Sequence, residues 1–388
     1  MLSYHALGNL PRKRHLQFRK PDGSLFYEEV FGTQGFSGVY SILYHHHMPP
    51  RVTRMEKLAD LRREPWAPAE DVHRHHLFRT REAPQGGDPI TGRQVVLYNQ
   101  DVSIAIARPT EPMDYFYRNS DGDELIFIHQ GRGRLETSFG HLAYVPGDYL
   151  VVPRGTTYRL APEGGETRLL VVEARGGPVE VPRRYRNEHG QLLEHAPYWH
   201  RDIRRPQVLE THPEPGGSYQ VRIKVGDALM GYWYDYHPFD VEGWDGYLYP
   251  WALSIHDFEP ITGRLHQPPP VHQTFAGPNF VVCSFVPRRL DDHPQAVPIP
   301  YNHSNIDSDE VIYYVDGDFS SRPGVEPTAI SLHPRGIPHG PQPGAVEAAL
   351  GKQATSELAV MVDTFHPLTI AASAAQYDDP SYPYSWLR

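Results

Sequence analysis

Residues 301–321 read YNHSNIDSDEVIYYVDGDFSS and, after a short connection, residues 330–340 read ISLHPRGIPHG. His303 and Glu310 flank a polar turn, the apolar run 311–315 follows and stops at Gly317, and Ile330 to Leu332 leads into Pro334, Gly336 and His339. Two imidazoles and one carboxylate carried on neighbouring strands can cap one face of an octahedral ion and leave the opposite positions open to other ligands.

The same pattern occurs earlier in the chain with its histidines removed. Residues 117–131, YRNSDGDELIFIHQG, align without a gap to residues 303–317, HSNIDSDEVIYYVDG, and Pro153, Gly155 and Tyr158 match Pro334, Gly336 and His339. Positions common to both copies, such as Asn119 and Asn305, Asp123 and Asp309, or Gly131 and Gly317, are accounted for by turn geometry alone. The positions that differ are the ones a metal needs: Tyr117 stands for His303 and Tyr158 for His339, while Glu124 matches Glu310. The expectation is a duplicated fold in which the first copy is metal-less and the second binds a metal through His303, Glu310 and His339.

Working outward, strand signals recur at 94–98, 102–107, 124–129, 133–137, 142–145, 149–152 and 168–172, separated by turn clusters such as 119–123 and 162–165. Short, evenly spaced strands with Gly- and Pro-rich turns, here 33 Gly and 39 Pro, read as an antiparallel barrel or jelly roll. The expected organisation is an N-terminal extension of short strands over 1–93, a first barrel over 94–180, a connector wrapping the barrels over 181–250, and a second barrel with the metal site over 251–388. Three consecutive histidines, His45, His46 and His47, alternate in direction on a strand and cannot all converge on one ion, so a packed or interfacial role is expected of them.

Composition excludes several classes. A net charge of -10 argues against nucleic acid, whose phosphates demand a concentrated basic surface. The single cysteine, Cys283, lies in an apolar run and reads as a small core side chain. The first residues lack the apolar run of a signal peptide and no stretch approaches the ~18 apolar residues of a membrane span, so a cytoplasmic protein without a membrane partner is expected.

The ligand spacing resembles the cupin family, the double-stranded β-helix, with two departures: Asn305 replaces the second histidine of its first motif, and Thr328 stands where the second motif begins with glycine. The inventory of two histidines and one carboxylate makes a facial triad the expected site. Further along the chain, FGTQGFSG at 31–38, DVEGWDG at 240–246, the segment from His303 to Glu310, and His333 through the His-Gly-Pro at 339–341 resemble homogentisate 1,2-dioxygenase.

That resemblance implies a mainly β bicupin that uses Fe(II) and dioxygen to open the ring of homogentisate, giving maleylacetoacetate in tyrosine and phenylalanine catabolism. It implies His303, Glu310 and His339 as iron ligands and a histidine base ahead of the second barrel, with His256 the first candidate and His272 the second. His333 corresponds to a further pocket histidine of the family. Where the family has a substrate-binding tyrosine this chain has Phe319, so Tyr313 or Tyr314 is expected to supply the hydroxyl. The family also implies a homotrimer that pairs into a hexamer.

Three other readings stay open: an iron cupin acting on a related dihydroxyaromatic acid such as gentisate, a cupin using manganese, nickel or zinc for non-oxidative chemistry, and a non-catalytic two-barrel binding protein.

Overall fold

The computed structural model describes residues 3–68, 72–299, 301–319, 322 and 324–387. Among the described residues strands are the dominant regular element, joined by turns and short 3-10 segments, and the α-helix is the short Ala345–Ala349. No helix among them is long and apolar enough to cross a membrane.

The first barrel places one sheet, ordered Trp251–Ser254, Asp148–Val152, Asp123–Gln130, Arg168–Ala174, Val102–Ala107, Arg93–Tyr98 and Thr369–Ile370, against a second that runs Gly140–Tyr144, Gly133–Thr137, Thr157–Pro162, Phe116–Asn119, Pro215–Val225, Ala228–Tyr236 and Val52–Asp60. Apart from the hairpin Gly133–Thr137 and Gly140–Tyr144, which stays in one sheet, consecutive strands from 116 to 174 alternate between the two sheets, which is the winding of a double-stranded β-helix. The second barrel keeps one wide sheet, Gln273–Gly277, Phe280–Phe285, Leu358–Thr364, Asp309–Asp316, Ile330–His333 and His76–Phe78. Its facing wall includes little regular strand: the pair Arg288–Arg289 with Ala354–Thr355, and an isolated bridge between His303 and His339.

The continuous apolar runs at 125–128 and 311–315 have a physical reason, since both faces of these strands are buried. Ile126, Ile128, Leu150 and Val152 meet Leu135, Tyr144 and Leu160 inside the first barrel. The alternate residues, Leu125, Phe127, Tyr149 and Val151, share a core with Val311, Tyr313, Val360 and Val362, so the two wide sheets pack back to back. Ile312, Tyr314, Ala359, Met361 and Cys283 fill the interior of the second barrel. Each large apolar side chain buried in this way contributes about 1.5–3 kcal/mol.

Repeat positions make repeat hydrogen bonds. Asp123 Oδ1 accepts from Arg154 N at 2.8 Å and Asp309 Oδ1 from Arg335 N at 2.9 Å. Gly155 N donates to Asn119 O at 2.8 Å, and Gly336 N to Asn305 O at 2.7 Å. Gly131 and Gly317 turn out of their strands at φ 99° and 94°, a region that disfavours a side chain. Tyr117 pairs with Tyr158 in register, as His303 bridges His339.

Several strands cross the boundaries drawn from sequence. His76–Phe78, inside the expected N-terminal extension, hydrogen-bonds to Ile330–His333 of the second barrel. Trp251–Ser254, assigned to the second barrel, pairs with Asp148–Val152 of the first, and Pro215–Val225 and Ala228–Tyr236 of the 181–250 connector extend the first barrel through a parallel pairing of the former with Phe116–Asn119. Val52–Asp60 joins the first barrel, while His5–Gly8, Tyr27–Gly32 and Tyr40–His45 form a separate sheet with Val241–Gly246. There the histidine triplet is held by acids: His45 lies between Asp240 and Glu29 at 2.8 and 2.9 Å, His46 meets Glu242 at 2.9 Å, and His47 meets Asp240 at 3.1 Å.

Candidate metal centre

Glu310 opens the strand Asp309–Asp316, and alternation turns it to the same face as Ile312 and Tyr314, the interior of the second barrel. The His303–His339 bridge carries one imidazole on each side. His303 Nε2 is 3.5 Å from Glu310 Oε2, His339 Nε2 is 3.2 Å from Glu310 Oε1, and one ligand atom from each residue lies within 4.8 Å of the others. The His303 side chain is 35% exposed and that of His339 is 0%, so the site opens on the His303 side.

The donor set fits a metal. His339 Nδ1 faces Ile337 O at 3.3 Å, which directs the Nδ1–H there and leaves Nε2 as the lone-pair atom. That Nε2 is buried without a hydrogen-bond partner. A buried imidazole nitrogen without a partner costs free energy that an ion would recover.

Burial works against charge on Glu310, but the surrounding imidazoles of His303, His333 and His339 outweigh it and hold the carboxyl well below its ordinary range. Asp363, opposite Glu310 in the sheet, has no such support, and burial beside that carboxylate pushes its pKa well up.

Other residues singled out from sequence fall into place unequally. His333 is fully buried beside the ligands, with Nδ1 2.8 Å from Glu310 Oε1, Nε2 2.9 Å from Tyr382 Oη, and its ring stacked on His339 at 4.4 Å. Burial, with the Arg322 charge nearby, pushes its pKa well down. Phe319 packs edge-on against Tyr314 at 4.9 Å inside the same barrel. Tyr313 points the other way. It lies on the strand face opposite to Glu310, against Phe127 and His129 of the first barrel, and its buried hydroxyl has no partner. The expected substrate-binding role of Tyr313 is therefore corrected: strand alternation excludes its side chain from the pocket.

The two base candidates make no described contact with the ligands. His256 is exposed just after Trp251–Ser254, with its ring against Gly147 of the first barrel. His272 is buried against Phe285 at 4.8 Å, and burial next to Arg288 pushes its pKa down to about 3.

Three neighbours were not anticipated. His75 sets its ring 5.4 Å from His333 and 5.8 Å from His339, with Nε2 3.1 Å from Pro338 O. From the C-terminal turn come Tyr382 and Trp386, the latter donating Nε1–H to Gly340 O at 3.3 Å. The cluster His73, His75, His76 ahead of Leu77 and Phe78 was a visible signal for the first. Nothing local marks the other two.

The equivalent place in the first barrel is filled by an arginine. The Arg93 guanidinium donates to Glu124 and, at 3.0 Å, to Tyr158 Oη, and lies 5.7 Å from the Tyr117 ring centroid. Tyr158 also hydrogen-bonds Glu124, and Asn119 Nδ2 donates to it at 3.2 Å. The buried carboxylate of this copy thus has a permanent cation.

A family model described as homogentisate 1,2-dioxygenase N-terminal matches residues 55–255, just over half of the chain. A Saccharolobus solfataricus protein whose name gives it provisionally as a dioxygenase is 46% identical over 389 residues, covering 100% of this chain and 99% of that one. The homogentisate 1,2-dioxygenase of Bradyrhizobium diazoefficiens is 27% identical over 277 residues, 68% of this chain and 60% of that enzyme, so the match spans well under two thirds of the relative's length. Among solved structures, a cupin 2 conserved barrel domain protein from Leptotrichia buccalis is 11% identical and covers 76% of this chain and 98% of its own, with a TM-score of 0.33. By the family match over half its length, and by its end-to-end similarity to the solfataricus protein, the chain belongs to the homogentisate 1,2-dioxygenase family.

Proposed function

We propose that the protein is an Fe(II)-dependent ring-cleaving dioxygenase that converts homogentisate and dioxygen to maleylacetoacetate, with His303, Glu310 and His339 as the iron ligands. The observation that carries this reading is the convergence of those three groups, on the open side of one barrel, in a member of this family. The chemistry iron supplies when bound is electron transfer between a closed-shell ring and triplet dioxygen, which a redox-inert ion such as zinc does not provide.

The chain's own groups set the stage for it. Glu310 brings one negative charge, His303 and His339 bring neutral nitrogens, and the apolar interior around Tyr314 and Phe319 keeps bulk water from the ring of a bound substrate. A ring hydroxyl must lose a proton. His272 is too weak a base at a pKa of about 3, so we assign that step to His256, presented from a neighbouring subunit of the trimer that the family resemblance implies.

Phe319 supports a second reading, a related hydroquinone acid as substrate. It places an apolar ring, packed on Tyr314, where the family resemblance leads one to expect a tyrosine hydroxyl. One experiment separates the two: anaerobic Fe(II) reconstitution, then oxygen uptake and product absorbance with homogentisate, gentisate and other dihydroxyaromatic acids. Preferred turnover of homogentisate supports the first reading, and preferred turnover of another acid supports the second. Absence of oxygen uptake with every acid overturns both.

A further inference from the structure

The C-terminal turn Tyr382–Leu387 reaches the metal centre without contributing a ligand. Tyr382 Oη lies 2.9 Å from His333 Nε2, and the other nitrogen of that ring lies 2.8 Å from Glu310 Oε1. All three side chains are buried, at 3%, 0% and 6% exposure, so water does not substitute for either contact.

The direction of these hydrogen bonds follows from what each atom can do. An ionised carboxylate only accepts, so His333 Nδ1 carries the hydrogen for as long as the ring is held in that contact. A neutral ring protonated there has a bare Nε2, and the group facing that atom is the Tyr382 hydroxyl. The Arg322 guanidinium, which can only donate, sits beside Tyr382 and favours an oxygen that turns its own hydrogen away, toward His333.

We propose that Tyr382 is a positioning residue of the metal centre: its O–H donates to His333 Nε2, fixes the tautomer that presents Nδ1–H to Glu310 Oε1, and so aims the rest of the carboxylate at the ion between His303 and His339. The inference rests on the metal-site reading above and adds a residue that the pattern of ligands does not contain. Outer partners of this kind typically change metal affinity by about 10–100-fold when removed. Without the hydroxyl, His333 Nε2 would be an orphan at a fully buried position, and the ring could regain a partner only by turning or by changing tautomer, either of which loosens Glu310.

Two measurements on the full chain test this. Nitrogen-15 NMR of labelled histidines in the metal-free and zinc-loaded protein reads the His333 tautomer directly, with His333→Gln to assign the signal. The hydrogen is expected on Nδ1 in the native protein and on a mixture of both nitrogens in Tyr382→Phe. Chelator competition with Co(II) is expected to show affinity falling about 10–100-fold in Tyr382→Phe. In Trp386→Phe, which alters the same turn but keeps the hydroxyl, the tautomer and affinity are expected to stay as in the native protein.

A native His333 protonated on Nε2, or a folded Tyr382→Phe protein with native affinity and tautomer, would overturn the proposal. An equal loss in Trp386→Phe would overturn it too, by showing that the turn rather than the hydroxyl matters. Should Tyr382→Phe fail to fold, the native tautomer still decides. If the native protein binds no Co(II) at all, it is the metal reading that fails, and the metal-free tautomer judges Tyr382 separately.

Discussion

His303 and His339 face each other across a single antiparallel bridge, each backbone N–H donating to the other's carbonyl at 2.8 and 2.9 Å, and their rings lie 4.3 Å apart. Tyr117 and Tyr158 hold the same register in the first barrel, with ring centroids at 5.4 Å. One backbone arrangement is thus used twice. In one copy it surrounds an arginine, and in the other it leaves two imidazole nitrogens facing a carboxylate.

Removing an imidazole from the second copy should cost the ion and spare the fold. His303→Ala is expected to lose Fe(II) on desalting while its metal-free stability changes by less than about 1 kcal/mol, as suits a partly exposed side chain. Iron analysis beside a urea titration checks both halves, and iron retention equal to the native protein's would refute the ligand assignment.

In the first copy the same experiment should strike the fold instead. Arg93→Met leaves Glu124, 1% exposed, as an uncompensated buried charge, and a loss of about 3–5 kcal/mol is expected from breaking a pair of this kind. Adding Glu124→Gln should restore much of it. An Arg93→Met protein as stable as the native one in urea would mean that the guanidinium is not the counter-ion.

Tyr313→Phe should be silent in catalysis. Its hydroxyl faces the first barrel without a partner, so its removal is expected to leave KM and kcat unchanged and stability within about 1 kcal/mol. A rise in KM would return Tyr313 to the substrate pocket.

The base assignment has a test that needs two impaired proteins. His256→Ala should bind iron and turn over slowly, and His303→Ala should bind none. Mixing and reassembling the two should regain activity if His256 of one subunit serves the metal of another. Failure of mixed assemblies to recover activity, with His256→Ala alone fully active, would remove His256 from the mechanism.

The N-terminal sheet should respond to alkali. Burial opposes charge on His45, but its hydrogen bonds to Asp240 and Glu29 prevail and raise its pKa to about 9. A folded pKa above the unfolded value of about 6.5 means that the contribution is fully present below pH ~6.5 and is lost as pH rises toward 9. Amide exchange in Tyr40–His45 and Val241–Gly246, corrected for intrinsic rate, is expected to quicken across that window in the native protein and not in His45→Gln.

How far the sequence could be read depended on whether the cause was local. The duplication was legible because Asp123 and Asp309, or Gly155 and Gly336, do the same backbone work in each copy, and turns tolerate few substitutes. The convergence of His303, Glu310 and His339 was legible because the two histidines differ where the turns around them repeat. Tyr313 was misread although its strand stated the answer: three residues from Glu310, it must face the other way. The histidines around His75 were visible without their destination, and Tyr382 and Arg93 were beyond local reading. They reach their sites from His76–Phe78, from the C-terminal turn, and from a strand 31 residues before Glu124, and only the tertiary topology brings them there. The domain boundaries drifted for the same reason, since strand pairing across the two barrels ignores the order of the chain.

The central claim is that one barrel holds a redox-active ion and its twin holds an arginine in the same place. Anomalous diffraction at the iron absorption edge from anaerobically reconstituted crystals tests it most directly. The account predicts one iron per chain, between His303, Glu310 and His339, and no anomalous peak among Tyr117, Glu124 and Tyr158. An iron in the first barrel, or none beside Glu310 in a protein that consumes oxygen with its substrate, would contradict it.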